Sequence, residues 1–298
     1  MTNKIKKMIK YVIGLLILKM FPLKSNILTI DETIDFISKR GNSMVRFGDG
    51  EFSLMEGKDI DEYQKHSNNL SYLLNNTIEN SDNKKLLVCL PEPIKGVSDY
   101  VKSSKIHWTA HIAQNYFRYK KICNRNIIYG NSFISRPYMI YKNKEKSKEW
   151  FTRIIDIWNG EEVLLVEGEY SRSGVGNDLF SNVKKIERII CPGQNAFDYY
   201  DDILNSIEQF DKKTLILLAL GPTSKPIAKS LSDKGYWTLD IGHLDSEYEW
   251  YKSNATSKIK LNNKHSAEIV DANISSCTDE DYLSSIRLKI GIDKIGEQ

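Results

Sequence analysis

Cysteine is scarce in this 298-residue chain, and its four cysteines (Cys89, Cys123, Cys191 and Cys277) stand far apart with no CxxC pair. That spacing excludes a zinc-finger ligand set and a disulfide framework, and it suits a reducing, cytoplasmic compartment. No proline- or glycine-rich stretch and no low-complexity tract interrupts the chain. A linker between domains and extensive disorder are therefore not expected. Charge of one sign is also in short supply. The 42 basic and 39 acidic residues leave a net charge of +3, too little for nucleic acid to be the main partner. Nor is there a long hydrophobic run: the apolar core of the N-terminus, residues 11–18, falls far short of the ~20 residues of a spanning helix.

What the N-terminus does have is lysine. MTNKIKKMIKYVIGLLILKMFPLK carries Lys4, Lys6, Lys7, Lys10, Lys19 and Lys24, and no acid precedes Asp31. It begins like a signal peptide, but Lys-Met-Phe-Pro stands where small residues for cleavage would be needed. Residues 1–25 read as a basic, apolar helix with two possible settings. One is the inner, anionic face of the cell membrane, contacted peripherally through residues 1–24. The other is the protein body, with the lysines on the wet side.

Short apolar runs then recur at 44–47, 86–90, 127–130, 163–166, 186–191, 214–220 and 236–241. Several are continuous rather than alternating, as in strands covered on both faces. Helical patterns lie between them, among them 33–40, 67–79 and 196–210. Alternation of this kind predicts an α/β fold, a Rossmann-like, mostly parallel sheet flanked by helices, in one domain from about Asn26 onward. KNKEKSKE (142–149) reads as a solvated helix start, and residues 252–266 as a polar loop.

Ligands of open α/β sheets bind beyond the carboxyl ends of the strands, so the residues after each run carry the interest. MVRFGDGE ends a strand with Asp49 and Glu51 around a glycine. Two carboxylates brought together by a turn suit Mg²⁺ or Mn²⁺ with positions left for phosphate oxygens, and Arg46 offers a forked phosphate donor. A plain surface turn has the same composition. LALGPTSKPIAKSLSDKGYWTLDIGH (218–243) is a strand–turn–helix–strand unit without a Walker or dinucleotide fingerprint. Gly221 and Pro222 make its turn, Thr223 or Ser224 its cap, and Gly235 its end. DIGHLDSEYEWY sets His243 among Asp240, Asp245, Glu247 and Glu249, which fits a metal ligand or general base, or the capping of a helix from near Ser246. The loop EGEYSRSGVGNDLF (167–180) offers Asn177 and Asp178 to a nucleotide, and Arg136 in NSFISRPY is a candidate phosphate ligand. His66, His107, His111 and His265 have no evident partner in the sequence.

RFGDGE, SFISRPY, SGVGNDLF, LALGPTSKPIAKSLSDKGY and DIGHLDSEYEW occur in an order that resembles the GT-D-type glycosyltransferases, a bacterial family once known as a conserved domain of unknown function. The resemblance covers about residues 31–251 and implies a Rossmann-like glycosyltransferase domain over 26–298. It implies transfer of a hexose from a nucleotide-sugar, with a UDP-sugar favoured, to a glycan, lipid-linked glycan or glycoprotein acceptor in surface polysaccharide or adhesin glycosylation. The family's metal-binding D-x-E falls on Asp49 and Glu51, and its G-H-x-D on Gly242, His243 and Asp245. The implied site holds Mn²⁺ or Mg²⁺ at Asp49, Glu51 and His243, with His243, Asp245 and Glu51 catalytic. Arg46, Phe47, Gly48, Arg136, Asn177, Asp178, Gly221, Pro222 and Thr223 would bind the donor. The rival readings are a metal-dependent sugar-phosphate phosphohydrolase or phosphotransferase, and a non-catalytic, membrane-associated assembly factor. The basic N-terminal segment has no counterpart in the family's motifs.

Overall fold

A computed structural model describes residues 3–60, 63–81, 84–123, 127–265 and 274–292. Residues 1–2 of the N-terminal segment and Ser266 of the polar loop lie outside them. Each of the seven apolar runs forms a strand: β2 (Ser43–Arg46), β3 (Leu86–Leu90), β4 (Ile128–Asn131), β5 (Glu162–Gly168), β6 (Lys185–Cys191), β7 (Leu215–Ala219) and β8 (Trp237–Asp240). Two short strands join them, β1 (Asn26–Ile27) and β9 (Ile286–Lys289). Neither was legible. β1 has two residues, and β9, Ile-Arg-Leu-Lys, is largely exposed at the sheet edge and lacks a buried face.

The nine strands form one parallel sheet in the order β1-β4-β3-β2-β8-β7-β5-β6-β9. All residues of β2, β3, β7 and β8 are buried, which explains why their sequences run apolar without alternation. From β2 the chain winds outward to β3 and β4, then crosses to build β5 to β8 on the other side. β2 and β8 are therefore neighbours at the point where the winding reverses, with Met44 opposite Leu239. The crevice at such a point is where ligands of open α/β sheets bind.

Helices cover both faces. The helix Ile30–Ile37 begins earlier than its apolar period suggests, because Thr29 and Glu32 form a capping box. The helix Asn68–Glu79 lies where the pattern at 67–79 predicts it, and the Ser67 side chain caps it. Residues 196–210 form a 3-10 turn, Ala196–Tyr199, followed by the helix Tyr200–Ile207. Thr223 is the N-cap of the helix Ser224–Asp233, one of the two expected residues, but without a side-chain capping bond, and the Ser224 hydroxyl accepts from Leu220 N across the preceding turn. The N-terminal helix Asn3–Met20 lies against the helix Lys102–Gln114, where Gly14 meets Thr109. Trp250 and Tyr248 of the helix Leu244–Lys252 are core residues.

Candidate active site

The carboxyl ends of β2 and β8 open into a cleft of about 1320 Å³. Its floor is an ion-pair chain. Arg46, the last residue of β2, donates from Nη2 to Asp240 Oδ1 (2.8 Å) and from Nε to the Asp240 carbonyl (2.7 Å), while Nη1 donates to Ser135. Lys225 Nζ lies 3.1 Å from Asp240 Oδ2 and 2.8 Å from Glu51 Oε1, and it donates to the Gly221 carbonyl. Burial pushes the Asp240 carboxyl up, but the adjacent Arg46 and Lys225 charges outweigh it and hold Asp240 below the usual carboxylate range. Gly242 turns the chain away from β8 at φ +46°, and a Cβ there would collide with the Arg46 guanidinium.

The two carboxylates of D-G-E part company. Glu51 is buried, with Oε1 on Lys225 and Oε2 accepting from Gly48 N at 2.8 Å, so it closes the first turn of the helix Asp49–Met55. Asp49, the first residue of that helix, keeps a half-exposed side chain in the cleft. Its Oδ2 lies 3.0 Å from His107 Nε2 of the helix Lys102–Gln114. Burial alone would raise the Asp49 carboxyl. The His107 hydrogen bond and charge, joined by His111 and Arg136, hold it well below the usual carboxylate range instead. Arg136 follows the 3-10 turn Ser132–Ser135 and faces the same cleft. Burial pushes the His111 imidazole, stacked parallel to His107 with centroids 6.3 Å apart, down to about 4.

Most of the expected donor residues meet here. Arg46, Phe47, Gly48, Asp49, Glu51, Arg136, Gly221, Pro222, His243 and Asp245 all line the cleft. Asn177, Asp178 and Thr223 do not. Asn177 Nδ2 donates to Asp245 (2.9 Å) and Glu249 (2.7 Å), Asp178 accepts from Tyr248 and Lys252, and Thr223 is fully buried beside Gln64. It is the start of that loop, Gly168 to Ser173, that supplies wall residues. Asp245 is saturated: it accepts from Gly174 N (2.7 Å), Asn177 and the buried Lys264 Nζ (2.9 Å). It therefore ties loop 172–178 to loop 253–265. His243 caps the helix Leu244–Lys252, two residues before the expected start, and stands in the cleft wall.

His107, Lys225 and Lys264 were missed. Each pairs with a carboxylate distant in sequence, so no local motif announces it. The i,i+4 spacing of His107 and His111 on one helix was the one available hint.

Among the described residues no group of three or more His, Cys, Asp and Glu is placed to hold a metal ion. Asp49 nevertheless fits a hard divalent cation, since Mg²⁺-type sites need one or two carboxylates and take further oxygens from phosphates and water. Glu51 fits only after leaving Lys225.

A family model for the glycosyltransferase GT-D fold matches residues 44–269. This chain belongs to the GT-D glycosyltransferase family. It is 40% identical over 262 residues to "Probable glycosyl transferase Gly" of Streptococcus gordonii, covering 88% of this chain and 38% of that protein. It is 39% identical over 262 residues to "Glycosyltransferase GlyD" of Streptococcus pneumoniae serotype 4, covering 88% and 32%. The chain thus spans about a third of the length of these two relatives. A solved structure described as the highly conserved domain of unknown function 1792 with a distinct glycosyltransferase fold superimposes with a TM-score of 0.87 at 39% identity, covering 96% of this chain and 100% of that one. Another, described as a new glycosyltransferase from Streptococcus sanguinis, does so with a TM-score of 0.85 at 40% identity, covering 90% and 100%.

Proposed function

We propose that this GT-D protein is a metal-dependent hexosyltransferase that uses a nucleotide-sugar, with a UDP-sugar favoured, and acts on a glycan or glycoprotein acceptor on the cytoplasmic side of the cell membrane. The observation that carries the reading is Asp49. It is an ionised, half-exposed carboxylate at the strand-order reversal, facing a cleft of about 1320 Å³ large enough for a nucleotide-sugar. Mn²⁺ or Mg²⁺ held by Asp49 would supply Lewis-acid stabilisation of the departing diphosphate.

The chain's own residues do the rest. Arg136, Lys142, Lys144 and Lys258 line the cleft and set a positive field where negative charge grows on the leaving group. Arg46 is committed to Asp240 and Ser135, so it braces the ends of β2 and β8 rather than gripping phosphate. His243 takes the proton of the acceptor hydroxyl, and Asp245 holds the flanking loops in place. His107 orients the Asp49 carboxylate and leaves its other oxygen to the cleft.

Thermal denaturation with nucleoside diphosphates, with and without Mn²⁺, tests this. A ligand at 100-fold above its Kd stabilises the native state by ~2.7 kcal/mol. We expect UDP to raise Tm only when Mn²⁺ is present, and Asp49→Ala to remove the effect. A folded protein indifferent to every diphosphate would sink the donor assignment, and phosphate release from simple sugar phosphates would favour a phosphohydrolase.

A further inference from the structure

Among its described side chains, the helix Asn3–Met20 touches the body along one stripe. A Cβ at Gly14 would lie 2.9 Å from the Thr109 carbonyl oxygen and 3.3 Å from Ala113 Cβ, so the two helices meet almost backbone to backbone. Leu18 continues that stripe against the core. The opposite side is bare. At 100° per residue Ile5, Met8, Ile9, Val12, Ile13 and Leu16 share one half of the helix, and each is 42–55% exposed. The patch runs on past the helix end, where Met20 and Phe21 are 64% and 56% exposed and Phe117 is 84% exposed. The Phe21 ring meets Tyr116 edge-on at 6.5 Å, with Lys120 Nζ 5.9 Å from the Tyr116 centroid. Single exposed apolar side chains are ordinary, whereas a contiguous band of this length marks an interaction surface.

Charge decides what covers it. Lys7, Lys10, Lys19 and Lys24 are exposed along this segment, and the sequence has no acid before Asp31. Lysines at the start of a helix oppose its dipole, so helix stability does not account for them. A second copy docking through the same face would bring two sets of lysines together. An anionic lipid surface would bury the band and neutralise Lys19 within it and Lys10 at its flank, and the aromatic and lysine pair at its end suits the headgroup level. Among the described residues no helix is long and apolar enough to cross a membrane, so the helix would lie in the interface plane.

We propose that this face docks on an anionic bilayer and that the acceptor is a glycan carried on a lipid of that bilayer. Docking sets the cleft at the membrane. Lys7 lines the cleft, and the helix beneath, Lys102–Gln114, contributes Ser103, Ser104, His107 and Trp108 to the cleft wall. The second half of the proposal rests on the transferase reading, and the first does not.

Flotation of the full chain tests docking, using vesicles of phosphatidylcholine alone or with phosphatidylglycerol. We expect association with the anionic vesicles, at least tenfold less with the neutral ones, and weakening by salt. Lys10→Gln and Lys19→Gln should each lower partitioning about fivefold, the equivalent of ~1 kcal/mol per lysine. The double variant Ile9→Glu, Leu16→Glu should lower it at least tenfold with Tm unchanged, since both side chains already face water. No flotation with anionic vesicles, or flotation indifferent to the double variant, overturns docking; so does a dimer that the double variant dissociates while flotation persists. For the acceptor, turnover is compared on a water-soluble glycan and on the same glycan attached to polyprenyl diphosphate in anionic vesicles. The double variant should lose at least tenfold on the second only. Equal loss on both, or on neither, overturns a lipid-carried acceptor. Absence of turnover by the wild type on either overturns it together with the transferase reading, while flotation still decides docking.

Discussion

Asp49 and Glu51 stand two residues apart with different fates, and the difference is one of partners. Glu51 is buried and held by Lys225 and the Gly48 amide, whereas Asp49 is half exposed in the cleft beside His107. Asp49→Ala should therefore lower metal-dependent turnover on the order of 100-fold, and unfolding should shift by no more than about 0.5 kcal/mol, as for an ordinary partly exposed site. Parallel assays of turnover and denaturant midpoint check both halves. Asp240 is the opposite case. Fully buried between Arg46 and Lys225, it should cost ~3–5 kcal/mol when changed to Asn, because two buried cations lose their shared anion. Its titration gives the sign of the acid response. Arg46 and Lys225 keep it ionised in the folded state, against the effect of burial, so below about pH 4 the unfolded chain takes up a proton that the folded chain refuses. Stability from this group is complete above that pH and is lost as pH falls below it. Acid denaturation monitored by circular dichroism should show this slope in the wild type and a shallower one in Asp240→Asn.

Individual elements were legible where a local rule sets them. The helix expected at 33–40 exists, but the capping box Thr29–Glu32 starts it three residues earlier, at Ile30, and Thr29→Ala should lower stability by ~1 kcal/mol, measured by urea denaturation. Gly235, at φ +87°, ends the helix Ser224–Asp233 as its position before β8 suggested. Gly242 is different, since its positive φ was invisible in Asp-Ile-Gly-His and its need for a bare Cα comes from Arg46, a residue of another strand. Gly242→Ala should cost at least about 1 kcal/mol and loosen the mouth of the cleft, seen as a lower Tm and weaker UDP protection. The helix Asn3–Met20 was readable as a helix from its apolar run and as basic from its lysines. Which stripe packs and which stays bare depends on Gly14 meeting Thr109, a contact between segments distant in sequence.

At the scale of the whole molecule, the reversal of strand order between β2 and β8 brings Asp49 and His243 to one cleft, and the loop after β5 to its wall. Asn177 and Asp178 read as ligands in the sequence because they are polar and flanked by glycines. In the fold they serve instead to fasten the loop to Asp245, Glu249, Tyr248 and Lys252. Replacing Lys264 by Met should release that fastening and leave Asp245 buried with fewer donors; we expect a lower Tm, by scanning calorimetry, and faster proteolysis of loop 253–265. The sequence by itself determined the seven main strands, the parallel α/β class, the family and the D-G-E stretch at the sheet's carboxyl edge. Buried apolar runs, caps and glycine turns are local, and each is written in consecutive residues. The tertiary structure alone decided that Glu51 belongs to Lys225, that Asp49 meets His107, that Arg46 is a brace and that one face of the first helix is left bare. Those outcomes depend on which charged or apolar side chains are brought within reach across the sheet, and distance through space is not encoded at any one position of the chain.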